Sequence, residues 1–449
     1  MLGLFVSANS NSNGYIVKVS KNRTSIAQLF SLTANEIVNG SNIYLAKNEY
    51  ELNALKMFHD VEYIEPNYEV ELFGMPTDPI YPEQWNLQMV NASSAWDLGC
   101  YGNEIKVGVI DSGLNNHIDI VGNKLEGHNF LNNTTDVTDN IGHGTFVSGI
   151  VASEQNNFGI VGAAYKTKII PLKCFEKNTS TYVDTIISAI NEATNVYNCD
   201  IINMSFGLSN DSILLRNAID NAVIKGVICV AAVGNDGNST KYYPASYDNV
   251  IGVGSVDANE SVSYFSQRNA GVFMVAPGNM VTSLGNDNTY ISKKGTSFST
   301  PLVTGIIADA KNIDKSIDTD SVKRLLQITS KDLGDIGYDF SYGYGLLDAA
   351  KLFSKLLENK DFFVSPIDFE GDIASNVIYN NTLGQKTVES IFVSHNLHRI
   401  INIKNNSITI EPKTSKVVQY NNNFTKLKHF LWNDFESQIP LSFTRELVK

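Results

Sequence analysis

Three rhythms of apolar and polar residues follow one another along this chain. Between 14 and 73, short alternating runs are interleaved with helical ones. Gly14–Val19 (GYIVKV) reads as a strand, Thr24–Ile37 as a helix and Asn42–Leu45 as a strand. Glu49–Phe58 then reads as an amphipathic helix and Val61–Phe73 as a returning strand. That β-α-β-α-β order suits a small ferredoxin-like α+β unit over 14–75. Pro76 to Pro82, with three prolines, is linker-like. From about 83 the rhythm becomes α/β. Near-continuous apolar runs (KVGVI 106–110, KIIPL 168–172, DIINMSF 200–206, GVICVAAV 226–233, NVIGVGSV 249–256) alternate with helical stretches. Such runs predict a parallel sheet covered by helices on both faces. Tyr342–Leu357 is expected to close this unit, 76–358, with a helix. Beyond 361, Asn-rich, turn-separated strands (ESIFVSH, SITIEP, KVVQY, HFLW) predict an all-β, sandwich-like module over 362–449.

Composition changes this picture little. The 449 residues suit two or three domains, and 43% hydrophobic with 18% charged residues is globular. The net charge of −13 comes without any Lys/Arg block, which argues against a nucleic-acid partner and for solubility or affinity toward cations. No apolar run approaches the roughly 20 residues of a membrane-spanning helix. Of Cys100, Cys174, Cys199 and Cys229, three lie in or beside apolar strand-like runs, and none forms a CxxC pair, so buried thiols are expected. Residues 1–13 admit two readings. Val6-x-Ala8 after an apolar start resembles the tail of a secretion signal, which would place the protein outside the cell or on its surface. The stretch lacks a charged beginning and a full apolar region, so a frayed cytoplasmic N-terminus fits as well.

Three stretches carry chemistry. In KVGVIDSG, Asp111 directly follows a buried strand, at the strand end where α/β proteins place ligand sites. Taken alone it reads as a turn or cap residue. In GHGTFVSGIVA, His143 stands between Gly142 and Gly144, which permit close backbone approach, and ahead of a small-residue helix. In GTSFSTPLVTGIIA, Ser297 lies at the mouth of an apolar helix, with Pro301 in the opening turn, where a missing N–H costs least. Alone, Ser297 reads as an N-cap serine. Together they change meaning. A serine nucleophile needs a base, and an imidazole base needs a carboxylate to fix its tautomer. The chain order Asp…His…Ser is that of subtilisin-like folds, and not of chymotrypsin or α/β-hydrolases.

On Asp111-Ser112-Gly113, His143-Gly144-Thr145 and Gly295-Thr296-Ser297-x-Ser299-x-Pro301, the sequence resembles the subtilisin-like (subtilase) serine peptidases over about 76–357, and more loosely over the 60 or so residues before. The resemblance implies a serine endopeptidase with an N-terminal inhibitor-type prodomain, and polypeptide substrates and its own prodomain as partners. It implies an oxyanion-hole role for Asn235 in VGNDGN, with the Ser297 backbone N–H as second donor; otherwise Gly234–Gly237 is only a turn. It implies that Ser205, Phe206 and Gly207 pair with extended peptide, that Val233 and Gly234 form the facing wall of the first specificity pocket, and that Tyr242 occupies its floor. There a tyrosine either narrows the pocket or swings outward. Calcium is the implied metal, held by Asp119 and Asn157 with Asp78 as a further oxygen ligand. His117 and His128 lack zinc-site spacing and read as surface histidines. Phe146 stands where many relatives carry a second histidine. The prodomain is expected to be cut off between about Glu69 and Thr77. Rival readings are a dedicated processing protease for one peptide or zymogen, and an inactive binding scaffold. The partner of the C-terminal module stays open.

Overall fold

Contacts divide the chain into Met1–Phe73 and Gly74–Lys449. The computed structural model describes residues 12–19, 35–36, 43–48, 50–53 and 61–68 of the first unit. Of the second it describes 76–176, 180–358, 362–365, 367–370, 373–396, 399–412, 414–421, 426–432 and 445–448.

In the first unit, strands β1 (Ser12–Val19), β2 (Asn35–Glu36), β3 (Ile43–Ala46) and β4 (Val61–Tyr68) form one antiparallel sheet in the order β2-β3-β1-β4. Tyr15, Val17, Ala46 and Leu52 make its core. The strand β2 falls inside the stretch expected to be helical over Thr24–Ile37; Asn35 and Glu36 pair instead with Leu45 and Tyr44. The rest of that helix lies outside the described residues, as do 69–75.

The second unit is built on a seven-stranded parallel sheet. Its strands are β5 (Lys106–Asp111), β6 (His128–Asn129), β7 (Lys168–Lys173), β8 (Ile201–Met204), β9 (Ile228–Ala232), β10 (Val250–Val256) and β11 (Met274–Pro277). The order is β11-β10-β9-β8-β5-β7-β6. Strands β8, β9 and β10 are buried at every position, the signature of a sheet with both faces covered. Helices α1 (His143–Ala152) and α4 (Thr296–Ile313) pack on each other and on the sheet, while α2 (Val183–Asn195) and α3 (Ile213–Ile224) form a second pair against it. An antiparallel hairpin, β12 (Val281–Leu284) with β13 (Tyr290–Lys293), leads into α4. Strand β5 borders both β7 and β8, so the chain turns from one half of the sheet to the other at the strand that ends in Asp111. Helix α5 (Thr319–Thr329) precedes the closing helix α6, which covers Ala349–Leu357 and not the expected 342–357. Gly343 and Gly345 take left-handed φ of 61° and 115°, and the Asp348 side chain caps the helix by accepting from Lys351 N–H.

Beyond α6 the chain forms two antiparallel sheets. One contains β14 (Phe362–Val364), β15 (Asp368–Glu370), β16 (Ile373–Asn380) and β19 (Ser415–Asn421). The other contains β17 (Lys386–Asn396), β18 (Arg399–Ile410), β20 (Lys426–Trp432) and β21 (Arg445–Val448). Ile378 and Tyr420 of the first share a core with Phe392, Ile408 and Leu427 of the second, as in a sandwich.

Candidate active site

Asp111 ends β5 with 4% of its surface exposed. Its Oδ1 accepts from Ser112 N–H at 2.7 Å, and His143 Nδ1 lies 2.8 Å from Oδ1 and 3.0 Å from Oδ2. A carboxylate only accepts, so the imidazole proton sits on Nδ1 and Nε2 is left as an acceptor. Burial pushes the His143 pKa down, but the charge and hydrogen bond of Asp111 outweigh it. The result lies above the ordinary histidine value, with Lys293 opposing and Asp139 assisting.

The position of His143 is set by residues around the start of α1. Buried Asp139 accepts from Ile141 N–H and Gly142 N–H on Oδ1 (3.0 and 2.8 Å), and from Thr145 N–H and Thr145 Oγ1 on Oδ2 (both 2.8 Å). One carboxylate thus satisfies the donors of the helix opening and adds negative charge where the helix dipole favours it. Lys293 Nζ holds the Gly142 carbonyl at 2.9 Å. No side chain fits at Gly144, where a Cβ would stand 2.2 Å from Gly113 O. Sequence reasoning missed Asp139; its signal was a carboxylate four residues before the histidine of a glycine-flanked helix start.

Ser297 lies in the first turn of α4. Its Oγ donates to Ser205 O at 3.0 Å, while Ser205 Oγ donates to Ser297 O at 2.8 Å. Pro301 explains the second bond. It stands in the second turn and not the opening one, so the helix bond it lacks is the one to Ser297 O. Ser205 Oγ also accepts from Asn203 Nδ2, whose own Oδ1 accepts from Thr304 Oγ1 of α4. Asn235 Oδ1 accepts from Thr296 N–H (2.8 Å) and Thr296 Oγ1 (3.0 Å). A backbone N–H can only donate, which fixes the carboxamide orientation and leaves the NH2 end of Asn235 directed away from Thr296.

Asp111, His143, Asn235 and Ser297 line one cavity of about 460 Å³, together with Ser205, Phe206 and Gly207. Its apolar side is made by Phe175, Tyr182, Val183, Ile186, Leu208 and Leu215, none of which sequence reasoning singled out. Val233, Gly234 and Tyr242 are not among the lining residues. Val233 is buried, and the Tyr242 hydroxyl donates to Asp236 Oδ2 at 2.7 Å.

Among the described residues, no group of three or more His, Cys, Asp or Glu is placed to hold a metal ion. Asp78 and Asp119 are nevertheless both buried, and Asn156 joins them: its N–H donates to Asp78 Oδ1 and its Nδ2 to Asp119 Oδ1. Asp78 Oδ2 is buried without a hydrogen-bond partner, and burial pushes the Asp119 carboxyl up to about 6. Two desolvated carboxylates with an orphaned oxygen fit a hard cation. The Asn157 side chain does not join them: the residue takes a left-handed φ of 64° and its Oδ1 pairs with Thr77 Oγ1, while its backbone N–H also bonds Asp78. The surface reading of the histidines also needs correction. His117 is buried, edge-on to Tyr290 and bonded to Thr289 O, while half-buried His128 pairs with Glu192 at 2.7 Å.

A family model described as the subtilase family matches residues 102–345. The chain belongs to the subtilases, a family of serine endopeptidases. It is similar to the minor extracellular protease Epr of Bacillus subtilis (strain 168), with 30% identity over 77% of this chain and 55% of Epr. It therefore spans about half of that relative's length. Similarity to the thermophilic serine proteinase of Bacillus sp. (strain AK1) is 36% over 63% of this chain and 71% of the relative. Subtilisin DY of Bacillus licheniformis is 36% identical over 59% of this chain and 96% of its own. A solved protease of Pseudoalteromonas arctica PAMC 21717 superposes with a TM-score of 0.58 at 26% identity, over 63% of this chain and 99% of that one.

Proposed function

We propose that this subtilase hydrolyses extended polypeptides through a Ser297 acyl-enzyme and is made as a self-processing zymogen. The observation that carries this reading is the His143 imidazole, bonded to buried Asp111 and facing the same cavity as Ser297 and Asn235. In the reaction, Ser297 Oγ leaves Ser205 O and gives its proton to His143 Nε2 as it attacks the carbonyl. The Asn235 amide and the Ser297 N–H hold the oxyanion, the proton passes to the departing amine, and water then releases the acyl group by the same route. Ser205–Gly207 supplies the edge on which an extended chain pairs. Asp78 and Asp119 would hold a structural calcium, whose place would be stability and not chemistry. Residues 14–75 serve as an inhibitory prodomain. Secretion agrees with the extracellular character of Epr. Whether the natural substrate is one zymogen or many proteins calls for substrate profiling.

The test uses the full chain. Phenylmethylsulfonyl fluoride should abolish peptide hydrolysis and modify Ser297, while iodoacetamide leaves activity intact. The four thiols are buried, and burial pushes Cys199 and Cys229 up to about 12 and raises Cys174 as well. Wild type should be cut between about Glu69 and Thr77 at a rate independent of protein concentration, and Ser297→Ala should stay a single chain. Wild type that stays full length yet cleaves added peptide removes the zymogen reading alone. Inactivation by iodoacetamide without unfolding removes the serine mechanism.

A further inference from the structure

We propose that Tyr242 closes the side-chain recess beside the nucleophile, so that this subtilase cuts after small residues such as glycine, alanine or serine. The proposal rests on the endopeptidase reading and narrows its substrate class. A carbonyl under attack must place its carbon at Ser297 Oγ and its oxygen toward the Asn235 amide. By the resemblance to subtilases, the residue that bears it projects its side chain between the two segments that follow β8 and β9, Ser205–Gly207 and Val233–Asn235. Both segments present a glycine toward Tyr242, and the ring spans the space between them. A Cβ on Gly207 would stand 3.2 Å from Tyr242 Cβ and 3.3 Å from Cδ1; a Cβ on Gly234 would stand 2.7 Å from Cδ2 and 3.1 Å from Cε2. Opposite edges of one ring therefore touch opposite walls, and not even a methyl group fits on either side without displacement.

The ring is held at both ends. Its hydroxyl bonds Asp236 at 2.7 Å, and the next residue, Tyr243, exchanges two backbone hydrogen bonds with Leu208, each 2.8 Å. Swinging the ring outward would break the first bond and both glycine contacts. Open volume lies elsewhere, on the apolar side formed by Phe175, Ile186, Leu208 and Leu215.

The experiment compares two otherwise identical extended peptides that carry alanine or phenylalanine at the acyl side of the scissile bond. Wild type should favour alanine in kcat/KM by about 100-fold or more, the order of discrimination that pocket shape provides. Tyr242→Ala, with its melting temperature checked, should raise kcat/KM for the phenylalanine peptide and collapse the ratio. Equal or faster hydrolysis of the phenylalanine peptide by wild type overturns the proposal while leaving the endopeptidase reading intact. Hydrolysis of neither peptide sinks that reading and this proposal with it. In the intact chain Gly74 is the only glycine between Glu69 and Thr77, so a self-cut protein should begin at Met75. A mature chain produced by cleavage after Leu72 or Phe73 counts against the closed recess.

Discussion

Replacing Asp111 by asparagine removes one charge while nearly preserving shape, and the neighbouring hydrogen bonds dictate the outcome. Ser112 N–H bonds Oδ1 at 2.7 Å and would keep the carbonyl end of the introduced carboxamide. The NH2 end then takes the place of Oδ2, 3.0 Å from His143 Nδ1. Nδ1 then faces the carbonyl oxygen at 2.8 Å and the amide donor at 3.0 Å, and the tautomer that accepts from that donor carries its proton on Nε2, where it blocks uptake of the serine proton. The same replacement in a chymotrypsin-type triad lowers kcat about 10⁴-fold, or roughly 5.5 kcal/mol of transition-state stabilisation. The pH profile of kcat/KM reads the free enzyme. In wild type its acid limb should lie above 6.5, because Asp111 holds the histidine above its ordinary value despite burial. In Asp111→Asn the residual activity should show a limb below 6.5, since burial and Lys293 then outweigh the weaker pull of Asp139. Stability carries the opposite sign. A histidine whose folded pKa is raised stabilises the fold fully below its unfolded value near 6.5 and loses that contribution as pH rises through the folded value. Activity should thus rise over the window in which this pair stops stabilising the protein. Peptide hydrolysis and thermal melting across pH check both. A wild-type limb at or below 6.5, or a loss under tenfold in the variant, refutes the reasoning.

Asn235→Leu should lower kcat by about 10²–10³ with little change in KM, the range found for the corresponding asparagine of subtilisin; a loss confined to KM would contradict the oxyanion role. Asp309 in α4 is wholly buried and neither carboxyl oxygen has a hydrogen-bond partner, so Asp309→Leu should stabilise the fold by about 1–3 kcal/mol. Burial holds the Asp309 carboxyl well above its ordinary value, so wild-type stability should fall relative to the variant as pH rises above about 4. Parallel melting curves across pH would refute that assignment. Calcium at a hundredfold excess over its Kd should add about 2.7 kcal/mol to metal-free protein. Asp78→Ala and Asp119→Ala should blunt the gain and Asn157→Ala should not; an unchanged melting temperature in wild type removes the site.

Much of this was legible because the signals are local. The β5 and β7 runs are apolar between their charged ends, β10 is apolar but for Ser255, and a buried parallel strand requires little more. Asp111, His143 and Ser297 stand at element ends beside glycines, where close approach leaves a mark in the sequence. Legibility ends where geometry depends on residues far along the chain. Asn156 and Asn157 are the same residue type, yet Asn156 bonds Asp119 while Asn157 takes a left-handed backbone and turns to Thr77. His117 looks exposed in NNHID, yet Tyr290 arrives from the β12–β13 hairpin to cover it. The strand β2 holds only two residues, too few for any periodicity to register. The choice between the two rotations of Tyr242 depends on Gly207, Gly234 and Asp236 together, which no single window of sequence contains.

Pro301 has a mechanical consequence. Because it cannot close the helical bond to Ser297 O, the Ser297 backbone is tethered sideways to Ser205 and not along its own helix axis. The edge proposed to receive a substrate strand and the serine proposed to attack it are therefore one strap, tied by two bonds in opposite directions. On the proposed mechanism, a substrate that shifted this edge would carry Ser297 with it. Mending the helix with Pro301→Ala would give α4 back its missing bond and set it competing for that carbonyl. A better helix would then hold a less well-aimed serine.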